Sequence, residues 1–85
     1  MVQFNHTLMA NEGLHARPAG NFVKKAQSYA QNITVAKGEK KADAKRLFSV
    51  INLQANQGDE ITIAVEGENE NAVAEELKAY CASAL

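Results

Sequence analysis

Val2, Phe4, His6 and Leu8 alternate with Gln3, Asn5 and Thr7 at the head of the chain. A period of two predicts a half-buried strand, one face on a core and the other in water. Asn11-Glu12-Gly13 then marks a turn. From Ala16 to Ala30 the period changes. Ala19, Phe22, Val23, Ala26, Tyr29 and Ala30 recur at helical spacing, while Lys24, Lys25 and Gln27 fall on the outward side. Gly20 weakens this helix, because an interior glycine loses more chain entropy on folding. Ile33-Thr34-Val35 predicts a second strand, Lys37-Gly38-Glu39 a hairpin turn, and Lys40–Asp43 a third strand with little pattern of its own. Leu47, Val50 and Ile51 form a short helical stripe, with Asp43 or Ala44 near its start. After the turn Gln57-Gly58-Asp59, the residues Ile61, Ile63 and Val65 alternate with Thr62 and Ala64 as a fourth strand, which Gly67 ends. Asn69 offers an N-cap for a last helix, where Val73, Leu77, Tyr80, Cys81 and Ala84 share one face.

The predicted order is β-α-β-β-α-β-α, an α+β chain. The economical packing is an antiparallel sheet with its helices on one face. Eighty-five residues make one domain, 1–85, with a thin core and no room for a deep cleft.

Charge narrows the classes of function. The formal net charge of -1 leaves no general basic footprint for nucleic acid. Lys37, Lys40, Lys41 and Lys45 are interrupted by Glu39 and Asp43 and read as a solvated edge. Cys81 is the only cysteine, so no intrachain disulfide forms, which suits a reducing compartment. It reads as a packed, small apolar residue. Met1 to His6 carry neither the basic start nor the apolar run of a signal peptide. No segment approaches the roughly 20 apolar residues of a membrane span. The expectation is a soluble cytoplasmic protein with no membrane insertion.

The candidate chemistry lies in Gly13-Leu14-His15-Ala16-Arg17-Pro18-Ala19. Gly13 provides a flexible turn, and Pro18 fits a first helical turn, where its missing N–H costs nothing. His15 therefore sits at a helix N-terminus, a place that attracts anions. The backbone N–H groups of Ala16 and Arg17 are the natural donors to a phosphate there, and the Arg17 guanidinium adds a permanent positive charge. A nucleophilic imidazole beside such a cradle points to a histidine that accepts a phosphoryl group. His6, His15 and Cys81 lack metal-ligand spacing, so neither a metal nor a cofactor is expected. No Ser/His/Asp or Cys/His constellation points to a hydrolase.

The same seven residues resemble the phosphorylation-site motif of HPr, the histidine-containing phosphocarrier family of the bacterial sugar phosphotransferase system. Phe22-Val23, Ile33-Thr34-Val35, Ala44-Lys45, Leu47-Phe48, Gln57-Gly58 and Glu66-Gly67-Glu68 extend the resemblance over essentially the whole chain. It implies an open-faced sandwich of four antiparallel strands and three helices. It implies that His15 accepts a phosphoryl group at Nδ1 from enzyme I, which draws it from phosphoenolpyruvate, and passes it to EIIA components of sugar permeases. The protein would then be a monomeric, stoichiometric carrier and not a turnover enzyme. Arg17 matches the family arginine. Leu47, Phe48, Arg46, Lys24 and Gln54 fall on the implied docking surface, and Lys24, Lys25 and Lys45 around His15 would steer acidic partners.

Two positions depart from the family. Many members carry a regulatory serine at the start of the second helix, where this chain has Arg46, which has no hydroxyl to phosphorylate. Members usually have glycine after the Leu53 position, where this chain has Gln54. The first departure keeps an alternative in view: an HPr-like paralogue in a regulatory phosphorelay. A non-phosphorylated regulatory binding module of the same fold is a further alternative, although it would have no need of the imidazole.

Overall fold

A computed structural model describes residues 1–85. The strands are β1 (Val2–Thr7), β2 (Asn32–Lys37), β3 (Lys40–Asp43) and β4 (Glu60–Glu66), and the helices are α1 (Ala16–Gln27), α2 (Leu47–Ile51) and α3 (Glu70–Ala84). The sheet order is β1-β4-β2-β3, with every pairing antiparallel. β1 and β2 therefore run parallel to one another, α1 crosses between them, and β4 fills the slot they leave.

The period-two pattern becomes two faces. Ile33 and Val35 of β2, with Ile61, Ile63 and Val65 of β4, are buried beneath the helices. Their register pairs Val35 with Ile63 and Ile63 with Phe4, so apolar side chains line up across three strands. The other face stays polar, and Thr62 Oγ1 donates to Asn5 Oδ1 across it at 2.7 Å. Helix α1 contributes Ala19, Phe22, Val23 and Ala26 to the core, α2 contributes Val50, and α3 contributes Val73, Ala74, Leu77 and Cys81. His6 pairs with Ile61 on the inward parity, and its Nε2 is buried without a hydrogen-bond partner.

Two local expectations need correction. Helix α1 ends at Gln27 and not at Ala30. The Ser28 hydroxyl donates to the Lys25 carbonyl at 2.6 Å, and Tyr29 leaves the helix to donate its own hydroxyl to Glu76 on α3 at 2.7 Å. Asn69 does precede α3, but its side chain makes no capping bond, because its backbone is left-handed at φ 57°. The Gly67 N–H is taken up instead by the Glu70 carboxylate at 3.2 Å.

What positions the remaining chemistry is a seam between two loops. The segment after β1 runs against the segment between α2 and β4. Leu8 N–H donates to Asp59 O at 2.9 Å, Gly58 N–H to Leu8 O at 2.8 Å, and Leu14 N–H to Ala55 O at 2.9 Å.

Candidate functional site

His15 ends the first of these loops. Its backbone is extended, at φ -128° and ψ 168°, and it is the residue that precedes α1. Ala16 follows at φ 49°, a left-handed conformation that costs a non-glycine residue about 1–2 kcal/mol. The Ala19 N–H donates back to the His15 carbonyl at 3.3 Å. The N–H groups of Ala16 and Arg17 lie ahead of that bond, and Pro18 has none to offer. Two donors thus stand at the positive end of the helix, outside its hydrogen-bond ladder.

The imidazole does not cap the helix. It turns to the second loop, where Nε2–H donates to Asn56 Oδ1 at 3.1 Å. An amide oxygen only accepts, so Nε2 carries the ring proton and Nδ1 keeps its lone pair. The nitrogen left free is the one suited to attack an electrophile.

The Asn56 loop is itself held. Asn56 N–H donates to Asp59 Oδ2 at 2.8 Å, and Asp59 N–H donates to Asn56 O at 2.9 Å. Lys37 Nζ, at the end of β2, donates to Gln54 O at 2.8 Å and pairs with Asp59 Oδ2 at 3.0 Å. The Asn56 N–H and the Lys37 ammonium together hold the Asp59 carboxyl below its usual range. Gly13, at φ 61°, lies directly against Ala55 and Asn56 and brings the two loops together.

The other anticipated residues fall as follows. Arg17 is exposed and makes no ion pair or side-chain hydrogen bond, so its guanidinium is free to meet an incoming anion. Phe48 is 78% exposed and Leu47 37%, on a helix that packs against α1. Arg46 precedes α2, with its Nε 3.9 Å from the Asp43 carboxylate. Gln54 is exposed and left-handed at φ 55°, which supplies a physical reason for a glycine at this position.

The lysines do not gather around His15. Lys24 and Lys25 occupy the last turn of α1, about 12 Å along the axis from its start. Lys25 stacks over the Tyr29 ring, and Lys45 Nζ is committed to the Tyr29 carbonyl at 2.7 Å. Asn56 is the site residue that sequence reasoning missed. His15 is half-buried and lines none of the surface concavities.

Residues 2–83 match the family model of the PTS HPr component phosphorylation site. The chain is 44% identical over 72 residues to the phosphocarrier protein HPr of Haemophilus influenzae, covering 85% of each chain. It is 35% identical over 80 residues to the HPr-like protein Crh of Bacillus subtilis, covering 94% of each. The solved HPr of Thermoanaerobacter tengcongensis superimposes with a TM-score of 0.92 at 31% identity, over 98% of this chain and 93% of that one. Sequence and fold are thus shared over nearly the whole chain, and the chain belongs to the HPr family of phosphotransferase-system phosphocarriers.

Proposed function

We propose that this chain accepts a phosphoryl group on Nδ1 of His15 from enzyme I, charged by phosphoenolpyruvate, and passes it to EIIA components of sugar permeases. The observation that carries this reading is the free Nδ1, left available when Nε2–H is engaged by Asn56. The transferred group brings about -1.5 to -2 charges at neutral pH. The N–H groups of Ala16 and Arg17 and the Arg17 guanidinium suit that charge. A helix-terminus interaction contributes about 0.3–1 kcal/mol, weak enough to leave onward transfer possible. A half-buried His15 outside any concavity suits a carrier whose partners supply the rest of each transfer site. Leu47 and Phe48 offer those partners an apolar anchor, with Arg46 and Gln54 alongside. In this reading the carrier acts as a monomer in the cytoplasm.

The test is incubation with enzyme I and phosphoenolpyruvate, followed by addition of EIIA components. One acid-labile, base-stable phosphoryl group is expected on His15. His15→Ala should take up none while keeping its fold, and Arg17→Ala should slow transfer far more than it lowers stability. Labelling retained in His15→Ala would overturn the assignment. The similarity to Crh and the presence of Arg46 favour one second reading, a paralogue serving a regulatory relay. Charging by enzyme I without discharge to any EIIA component would select it.

A further inference from the structure

We propose that Asn56 is a positioning residue for His15: its side-chain oxygen selects the Nε2–H tautomer and fixes the ring so that the Nδ1 lone pair faces outward for phosphoryl acceptance. The inference rests on the carrier reading above and adds to it a residue from a different part of the chain. Asn56 lies 41 positions from His15, in the loop between α2 and β4. A neutral imidazole has two tautomers, and only the one protonated at Nε2 can attack through Nδ1. A partner that only accepts, placed at 3.1 Å from Nε2, stabilises that tautomer and restricts rotation of the ring.

The support behind Asn56 makes the contact more than an exposed side chain resting on another. Its backbone N–H is fixed by Asp59 Oδ2, and that same oxygen is paired with Lys37 Nζ. Lys37 also holds the Gln54 carbonyl, so the loop is clamped on both sides of Asn56 by a lysine rooted in the sheet. On the facing side, Gly13 allows backbone contact with Asn56 that a side chain would block. A run of polar contacts therefore leads from β2 through Lys37, Asp59 and Asn56 to the reacting ring.

The same contact serves both directions of transfer. On acceptance, the Nδ1 lone pair forms the bond to phosphorus while the donor's bond to phosphorus breaks, its electron pair leaving with the donor. The Nε2 proton stays on the ring, which becomes cationic beside a dianionic phosphoryl group. Asn56 Oδ1 continues to accept from Nε2–H in that state. On discharge, the ring leaves as the neutral Nε2–H tautomer from which it began.

The experiment compares wild type, Asn56→Ala and Asn56→Asp by nitrogen-detected magnetic resonance of the His15 ring, and by the rate of charging from enzyme I and phosphoenolpyruvate. Wild type should show a proton-bearing Nε2 and a bare Nδ1. Asn56→Ala should shift both signals toward a mixture of tautomers and slow charging about three- to tenfold, the worth of one neutral hydrogen bond. An unchanged amide spectrum establishes that the fold is intact. Asn56→Asp keeps an acceptor, so the proton-bearing Nε2 should be retained. Ring signals and charging rate unchanged in Asn56→Ala, or a proton lost from Nε2 in Asn56→Asp, would overturn the proposal. Failure of wild type to charge would refute the carrier reading instead, and the ring signals would still decide the Asn56 contact.

Discussion

A Cβ placed on Gly13 falls 2.7 Å from the Asn56 Cα and 2.5 Å from the Ala55 carbonyl oxygen. Neither atom belongs to a flexible side chain, so the backbone itself must move. Gly13 also holds φ at 61°, where an alanine is strained. Gly13→Ala should therefore destabilise the fold by about 2 kcal/mol or more, strain and overpacking combined. It should also part the two loops and disturb the His15 ring signals. Denaturant unfolding with ring spectroscopy on the folded variant checks both effects.

Gln54 presents the opposite case. It occupies a left-handed conformation with a full side chain, and that side chain is exposed. Gln54→Gly relieves about 1–2 kcal/mol of strain and returns about 0.5–1 kcal/mol to the entropy of the unfolded chain. The variant should gain about 0.5 kcal/mol, read as a higher denaturation midpoint with an unchanged slope. The Lys37 bond is to the Gln54 backbone carbonyl, so it survives the change.

The Asp59 carboxyl is acidified in the folded state, first by the Asn56 N–H and then by Lys37. A folded pKa below the unfolded value means that the contribution is present above the unfolded pKa and is lost as pH falls through the folded one. The window lies below about pH 4, where a free aspartate titrates. Stability measured from pH 6 down to pH 2 should fall less steeply below pH 4 in Asp59→Asn than in wild type. Identical slopes would show that the Asp59 contacts do not persist in solution.

Arg46 precedes α2 without a capping side-chain bond and sets a cation at the positive end of that helix. Its ion pair with Asp43 is long and exposed, and such pairs contribute little. Arg46→Ser supplies a hydroxyl that can accept from the first-turn amides and removes the unfavourable charge. The expected gain is about 1 kcal/mol, which calorimetry should read as a rise in Tm of about 4–8 °C for a domain of this size. An unchanged or lower Tm would mean that the Arg46 side chain stabilises the chain in some other way.

Strands and helices were legible where one period of side chains meets one buried face, as at Ile61, Ile63 and Val65 or at Phe22, Val23 and Ala26. The placement of His15, Arg17 and Pro18 at the start of α1 is legible because its signals are local: a turn glycine and a first-turn proline within seven residues. Asn56 was not, because it stands beside Gln57-Gly58-Asp59 and has the composition of an ordinary turn. Its partner is 41 residues away, and no periodicity links them. Asn69 misled for a related reason: its side chain suits an N-cap, but the left-handed backbone imposed at that corner turns it away from the amides. The lysine contacts are not legible either: charge can be counted from sequence, whereas the carbonyl and the ring that meet Lys45 and Lys25 cannot.

Cys81 gives this chain a built-in clock for its own opening. The side chain is fully buried between α3 and the sheet, and burial pushes its thiol up to about 12. Thiol reagents react with the thiolate, so the native molecule is inert to them at neutral pH. Each modification event must wait for α3 to lift or for the whole chain to unfold. As the only sulfhydryl, it makes the labelling rate a direct count of those excursions, with no engineered probe and no competing signal. Comparing that rate in the uncharged and phosphorylated protein would reveal whether a charge gained at the start of α1 is felt at the far helix.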